Sequence, residues 1–238
     1  MDTASHTVMP APHSWSSLPR GRYIAEQLQH RLDEWGPGLF GFSLLKVDAL
    51  SAALSLKSSR LRQDVVMAQR ELEGVDLLGD LTAMPFAPGS LDACLLAHVL
   101  EYSAHPHAIL RETETALRDD GWLILTGFNP YGSAGLARWL PGWRKRLPHW
   151  RAMVAPARVE DWLKLLGFEV IKRDYIGFTG LMPWLAHWQR QRCPQFCPSP
   201  AAVYILLARK RRFPLTPVRE QRAVATPVAR PEMARQRE

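Results

Sequence analysis

Apolar residues recur along the chain at two spacings. Ile24, Leu28, Leu32 and Trp35 fall three or four apart within residues 23–35, one face of a helix, and Gly36-Pro37-Gly38 ends it. Short apolar runs then take over: residues 42–47 (FSLLKV), a weaker 61–67 (LRQDVVM), a short 75–78 closing at Gly79-Asp80, and 91–96 (LDACLL). Continuous runs of this length predict strands covered on both faces. Helical spacing returns at residues 105–118, where Ile109, Leu110, Thr113, Ala116 and Leu117 share a face and Asp119-Asp120-Gly121 forms the stop. It returns again at residues 159–166, with Val159, Trp162, Leu163 and Leu166 ahead of Gly167. Further strands are expected at residues 122–126 (WLILT), 168–171 and 201–208 (AAVYILLA). Strands alternating with helices predict an α/β fold with a mostly parallel sheet and helices on both faces. Ligands of such sheets sit beyond the carboxyl ends of the strands.

Composition narrows this picture. The 238 residues are 47% hydrophobic and 22% charged, which excludes wholesale disorder. The apolar run at residues 201–208 is far short of a membrane span. Three cysteines form no paired framework, and the first fifteen residues carry neither a basic start nor an apolar block; a cytoplasmic location is expected. The net charge of +7 is uneven, because residues 209–238 hold nine basic residues against three acids. Residues 213–238 include Pro214, Pro217, Pro227 and Pro231 and few large apolar side chains, so they are expected to form a basic tail outside the domain of residues 1–212. Such a tail suits contact with nucleic acid or an anionic membrane; the plainer reading is a solvated end.

Residues 79–130 carry a longer ordered pattern. It runs Gly79-Asp80, Met84-Pro85-Phe86, Ser90-Leu91-Asp92, His98-Val99-Leu100-Glu101, Leu110-Arg111-Glu112, Asp120-Gly121 and the apolar run at 122–126. The series resembles the class I methyltransferases that use S-adenosylmethionine (SAM), in particular their type-11 group. Asp161-Trp162-Leu163 with Leu166-Gly167-Phe168-Glu169-Val170 resembles that family's last helix and sixth strand. The resemblance spans about residues 42–210 and implies a Rossmann-like sheet, SAM as cofactor and a methyl acceptor. Gly127-Phe128-Asn129-Pro130 and Gly135-Leu136 resemble an uncharacterised bacterial branch, which implies the fold and no particular acceptor.

The resemblance places the cofactor near Val47, Asp48, Asp80, Leu81, Ala97 and His98. Asp80 matches the acid that receives the adenine amine, with Leu81 beside it; an acid there also suits capping the next turn. Ala97 and His98 match the positions that touch the methionine part. The family's Gly-x-Gly loop after the first strand is missing, since Asp48-Ala49-Leu50-Ser51 stands there. Lys46 replaces the usual acid in that strand and would repel the sulfonium. The acid of the second strand has no clear match, Asp64 being a candidate without support from spacing. The 31 residues between Asp48 and Asp80 are too few for two full crossovers, so one is expected to be cut down. Gly36-Pro-Gly38-Leu-Phe-Gly41 fits a dinucleotide fingerprint as text, but a helix precedes it and a strand follows, so it reads as a turn.

Methyl transfer to a soft nucleophile needs little beyond in-line positioning. Transfer to a hydroxyl needs a base, for which His98 and Glu101 are the first candidates; a structural histidine is the equal alternative. His105 and His107 flank Pro106 at a helix start and read as surface residues. Cys94 reads as core, and Cys193-x3-Cys197 near His187 as structural, so no metal is expected. Residues 138–150 and 180–192 hold five of the nine tryptophans among basic residues. They suit a lid over an apolar small-molecule acceptor, a bilayer or nucleobase contact, or a plain helical cap. Two functions stand at this point: a methyltransferase acting on a small, apolar acceptor, and a methyltransferase-like binding or regulatory module without catalysis. An open cavity beside Asp80 favours the first; Leu50 or Lys46 filling it favours the second.

Overall fold

The computed structural model describes residues 10–142, 144–149, 152–177 and 201–211. After a 3-10 turn at Trp15–Ser17 come α1 (Gly21–Trp35), β1 (Ser43–Val47), α2 (Asp48–Ala52), β2 (Gln63–Ala68), β3 (Leu77–Leu78) and β4 (Leu91–Ala97). Then follow α3 (Pro106–Ala116), β5 (Leu117–Phe128), α4 (Ser133–Ala137), α5 (Pro156–Leu165), β6 (Phe168–Ile176) and β7 (Val203–Lys210). The seven strands form one sheet in the order β3-β2-β1-β4-β5-β7-β6. All pairings are parallel except those of β7, which runs antiparallel to β5 and β6. This is the mostly parallel, Rossmann-like α/β sheet that the apolar runs call for.

Each central strand divides its side chains between two cores. In β4, Ala93, Leu95 and Ala97 join α1's Ile24, Leu28 and Leu32 on one face. Cys94 and Leu96 join Ile109 and Leu110 of α3 and Val159 and Leu163 of α5 on the other. A strand buried on both sides has no polar position to give up, so its sequence reads as an unbroken apolar run. Each such leucine contributes about 1.5–3 kcal/mol relative to exposure. Cys94 lies wholly within this core, where burial pushes its thiol up to about 12.

The structure corrects two local expectations and bears out a third. Both early crossovers are cut down, not one: α2 has five residues, and residues 69–76 between β2 and β3 contain no helix. The Asp119-Asp120-Gly121 stretch does not stop α3, which ends at Ala116, but bulges within β5. Leu91 pairs with Leu117 and Ala93 already with Trp122, so residues 118–121 loop out, with Asp120 at φ 64. The stretch at residues 36–41 is a 3-10 turn (Gly36–Gly38) behind α1, as its flanks require.

Residues ahead of α1 pack back over the sheet. Trp15 is buried, and its indole donates to the Leu50 carbonyl at 3.0 Å. Gly21 lets the turn and α1 meet, because a Cβ there would stand 1.7 Å from the Trp15 carbonyl oxygen. The basic tail beyond Arg211, the tryptophan-rich residues 180–192 and Cys193, Cys197 and His187 lie outside the described residues.

Candidate functional site

The strand order reverses between the parallel neighbours β1 and β4: β2 and β3 are added to one side of β1, β4 and β5 to the other. At such a switch point the loops diverge and leave a crevice at the carboxyl ends. A cavity of about 390 Å3 lies there. Its walls come from four loop ends: Asp48 after β1; Gln69, Arg70 and Leu72 after β2; Asp80 and Thr82 after β3; and residues 102–105 between β4 and α3. Residues 10–13 of the N-terminal segment form the remaining wall.

Asp48 holds the position of the missing glycines. Its φ is +67, the left-handed region that a glycine enters without cost. An aspartate tolerates this conformation better than most residues, and its carboxylate accepts the following Ala49 amide at 3.0 Å. The backbone therefore makes a glycine-like turn without a glycine. Ser51, three residues on, accepts the Ala97 amide at 2.8 Å and fixes α2 to the end of β4.

Neither side chain that threatened to fill the cavity does so. Leu50 is buried in the core on α1's side of the sheet. Lys46 also turns away from the cavity and pairs with Asp64 at 2.6 Å. Its charge is matched within the fold, so the repulsion expected of it does not arise. Asp64 is thereby placed as that lysine's partner in the first half of β2, not at the ligand end; Gln69 and Arg70 occupy that end.

Asp80 is exposed on the cavity wall. One carboxylate oxygen accepts both the amide and the hydroxyl of Thr82, each at 2.8 Å. These two hydrogen bonds, backbone first, hold its pKa below the ordinary aspartate value, and the Gln69 side chain and His105 add to the effect. Asp80 thus caps its own turn and faces the cavity as an anion. His105 lies on the rim, while the His107 ring packs on Trp162 at 4.0 Å.

The other sequence candidates lie in the core, outside the cavity lining. Val47, Leu81, Ala97 and His98 are all buried and do not line the cavity. The His98 amide donates to the Thr126 carbonyl at 3.1 Å and to its hydroxyl at 3.2 Å, with φ at +54. Its ring sits between Trp15, edge-on at 5.6 Å, and Phe128 at 4.2 Å. Nδ1 is 3.3 Å from Glu101 Oε1, which also accepts the Phe128 amide at 2.5 Å. His98 Nε2, Glu101 Oε2 and the Tyr102 hydroxyl have no hydrogen-bond partner among the described residues. Buried polar atoms without partners are uncommon and costly, so they mark a place where a ligand or a movement completes the set. Burial first, then the neighbouring Glu101, raises the Tyr102 phenol well above its usual range.

Sequence reasoning missed Gln69, Arg70, Thr82, Tyr102 and residues 10–13. Gln69 stands two residues past the strand run, and Thr82 two residues after an aspartate, so both had a local signal. Residues 10–13 carry none.

Over residues 38–125 the chain matches the family model described as a methyltransferase domain. It is 35% identical over 206 residues to the uncharacterized protein YafS of Escherichia coli strain K12, a match spanning 87% of this chain and 84% of that protein. Among solved structures it is similar to a SAM-dependent methyltransferase from Archaeoglobus fulgidus, with a TM-score of 0.53 at 12% identity over 80% of this chain and 97% of that one. It is likewise similar to one from Aquifex aeolicus, with a TM-score of 0.50 at 13% identity over 78% and 89% of the two chains. At such identities the structural likeness speaks for the fold.

Proposed function

This chain belongs to the class I SAM-dependent methyltransferases, enzymes whose cofactor is SAM, and to one family with YafS; on that premise we propose that its cofactor occupies the cavity beside Asp80. The observation that carries this reading is an open cavity at the switch point, walled by an ionised carboxylate and unobstructed by Leu50 or Lys46. Its volume falls within the range of about 300–1,000 Å3 common to small-molecule sites. The donor set fits a nucleoside with a cationic centre: Asp80 accepts hydrogen bonds, Gln69 both donates and accepts, and Asp48 supplies a second carboxylate. The left-handed turn at Asp48 supports close backbone approach where glycines are absent.

When bound, SAM supplies an electrophilic methyl group on a sulfonium sulfur. The chain's own residues hold and orient it: Asp80 and Gln69 take the polar edges of the nucleoside, and residues 10–13 exclude water from above. Alignment of this kind is worth about 7–11 kcal/mol of a bimolecular barrier. Outside the cavity lining, His98 is the proton acceptor for a methyl acceptor that must be deprotonated, once movement of the Trp15 segment uncovers its buried ring. With its proton on Nδ1, toward Glu101, Nε2 is left free to take another; Glu101 acts as the positioning residue. The acceptor is read as a small apolar molecule met in the cytosol, since apolar rings of Trp15 and Phe128 flank His98.

Ultraviolet cross-linking of methyl-labelled SAM followed by peptide mapping tests the placement. Label is expected in peptides containing residues 69–82 or 102–105, displaced by the demethylated product. Label confined to other peptides, or not displaced, contradicts the proposal.

A further inference from the structure

Beyond methyl transfer, we propose that the surface formed by α4 and the turns after it docks on a lipid bilayer that carries anionic headgroups. Ala134 and Ala137 are buried against the sheet. Leu136, Trp139 and Leu140, at the complementary spacing, point outward; Trp139 is 82% exposed and Leu136 61%. The stripe is held firmly: Gly135 lies so close to Pro130 that a Cβ would stand 1.9 Å from its carbonyl oxygen. Leu147 and Met153 return the chain to the core, and between them and the stripe Arg144, Lys145 and Arg146 are exposed.

Charge completes the argument. Residues 121–159 contain six basic side chains and no aspartate or glutamate, and residues 175–219 contain no acid either. The second stretch leaves the described structure at Gly177 and re-enters at Ala201, which lies beside Gly132 just ahead of α4. The described ends of the second stretch, Gly177 and Ala201, thus stand at the same end of the sheet as the start of α4. A tryptophan and two leucines beside a basic triplet match the interface of an anionic membrane, where rings and aliphatic chains enter the acyl boundary and cations meet headgroups. Nucleic acid would use the cations and Trp139 but gains nothing from exposed Leu136 and Leu140. Among the described residues no helix is long and apolar enough to cross a membrane, so the contact is at the surface.

Co-sedimentation of the full-length protein with phosphatidylcholine vesicles, with and without phosphatidylglycerol, tests this. The protein is expected to sediment with the anionic vesicles and to be released by salt. Trp139→Glu should lower partitioning at least about tenfold without moving the thermal midpoint. A full-length Arg144→Gln/Lys145→Gln/Arg146→Gln variant should lower it by about fivefold per charge. Full-length protein with Arg219, Arg222, Arg230, Arg235 and Arg237 all changed to Gln should keep its sensitivity to Trp139→Glu. No sedimentation with anionic vesicles, partitioning of the Trp139 or the triplet variant equal to that of the parent, or tight RNA binding in place of vesicle binding would each overturn the proposal.

Discussion

At Asp48 one dihedral angle decides whether a sequence without glycines keeps a cofactor loop. If the left-handed turn is what the site needs, the side chain is secondary. Asp48→Gly is therefore expected to leave stability within about 1 kcal/mol, since relief of the φ penalty offsets the added chain entropy. Asp48→Val, which cannot enter that region without strain, is expected to cost about 1–2 kcal/mol. Urea denaturation of the two variants checks this, and equal stability would show that the turn is unstrained. None of it could be read from the sequence, where Asp48 is only a missing glycine; a φ angle is set by the helix start and by the Ser51 bond to β4. Asp80 was legible because its Gly-Asp context is local. Lys46 was misread because its partner, Asp64, comes from a different strand.

Elements are held in register by a few buried polar ties, of which Asp92 is the clearest. From the start of β4 its carboxylate accepts the Phe42 amide at 2.8 Å and the Ser43 amide at 2.9 Å, both at the head of β1, and pairs with Arg118 of the β5 bulge. Burial pushes its pKa up, but the hydrogen bonds from Ser43 and Phe42 and the Arg118 charge outweigh this and hold it below the ordinary aspartate value. Asp92→Ala should therefore cost about 3 kcal/mol and leave Arg118 without its partner. With a folded pKa below the unfolded one, the stabilisation is full above about pH 4 and is lost as pH falls through the lower folded value. The acid limb of unfolding in Asp92→Asn should accordingly be shallower than in the parent, as thermal melts between pH 2.5 and 5 would reveal; superimposable limbs would contradict this. Strands β1, β4, β5 and β7 were legible because burial on both faces leaves mostly apolar residues, whereas β2, exposed over its first half, gave only a weak signal. The bulge at residues 118–121 was not, because an acidic turn with glycine ends a helix or opens a strand equally well.

Across the whole molecule, a segment with no periodic pattern closes the site. Residues 10–13 wall the cavity, and Trp15 anchors them on Leu50 and over His98. Its contacts with Leu50 and His98 are distant in sequence, so no local signal announced it. Trp15→Ala is expected to cost about 3–5 kcal/mol as a large core truncation and to weaken cofactor binding as well. In hydrogen exchange, bound SAM should slow the amides of residues 11–18 along with those of 48–51 and 80–82; protection that skips the N-terminal segment would mean that it is no part of the site. The central claim, that the cofactor lies against Asp80 without the usual glycines, is met most directly by calorimetric titration with SAM and with its demethylated product. Saturable heat for both, weakened at least about tenfold in Asp80→Ala through loss of a charge-assisted hydrogen bond, is the predicted result. Absence of heat at millimolar ligand, or binding indifferent to Asp80→Ala, would contradict it.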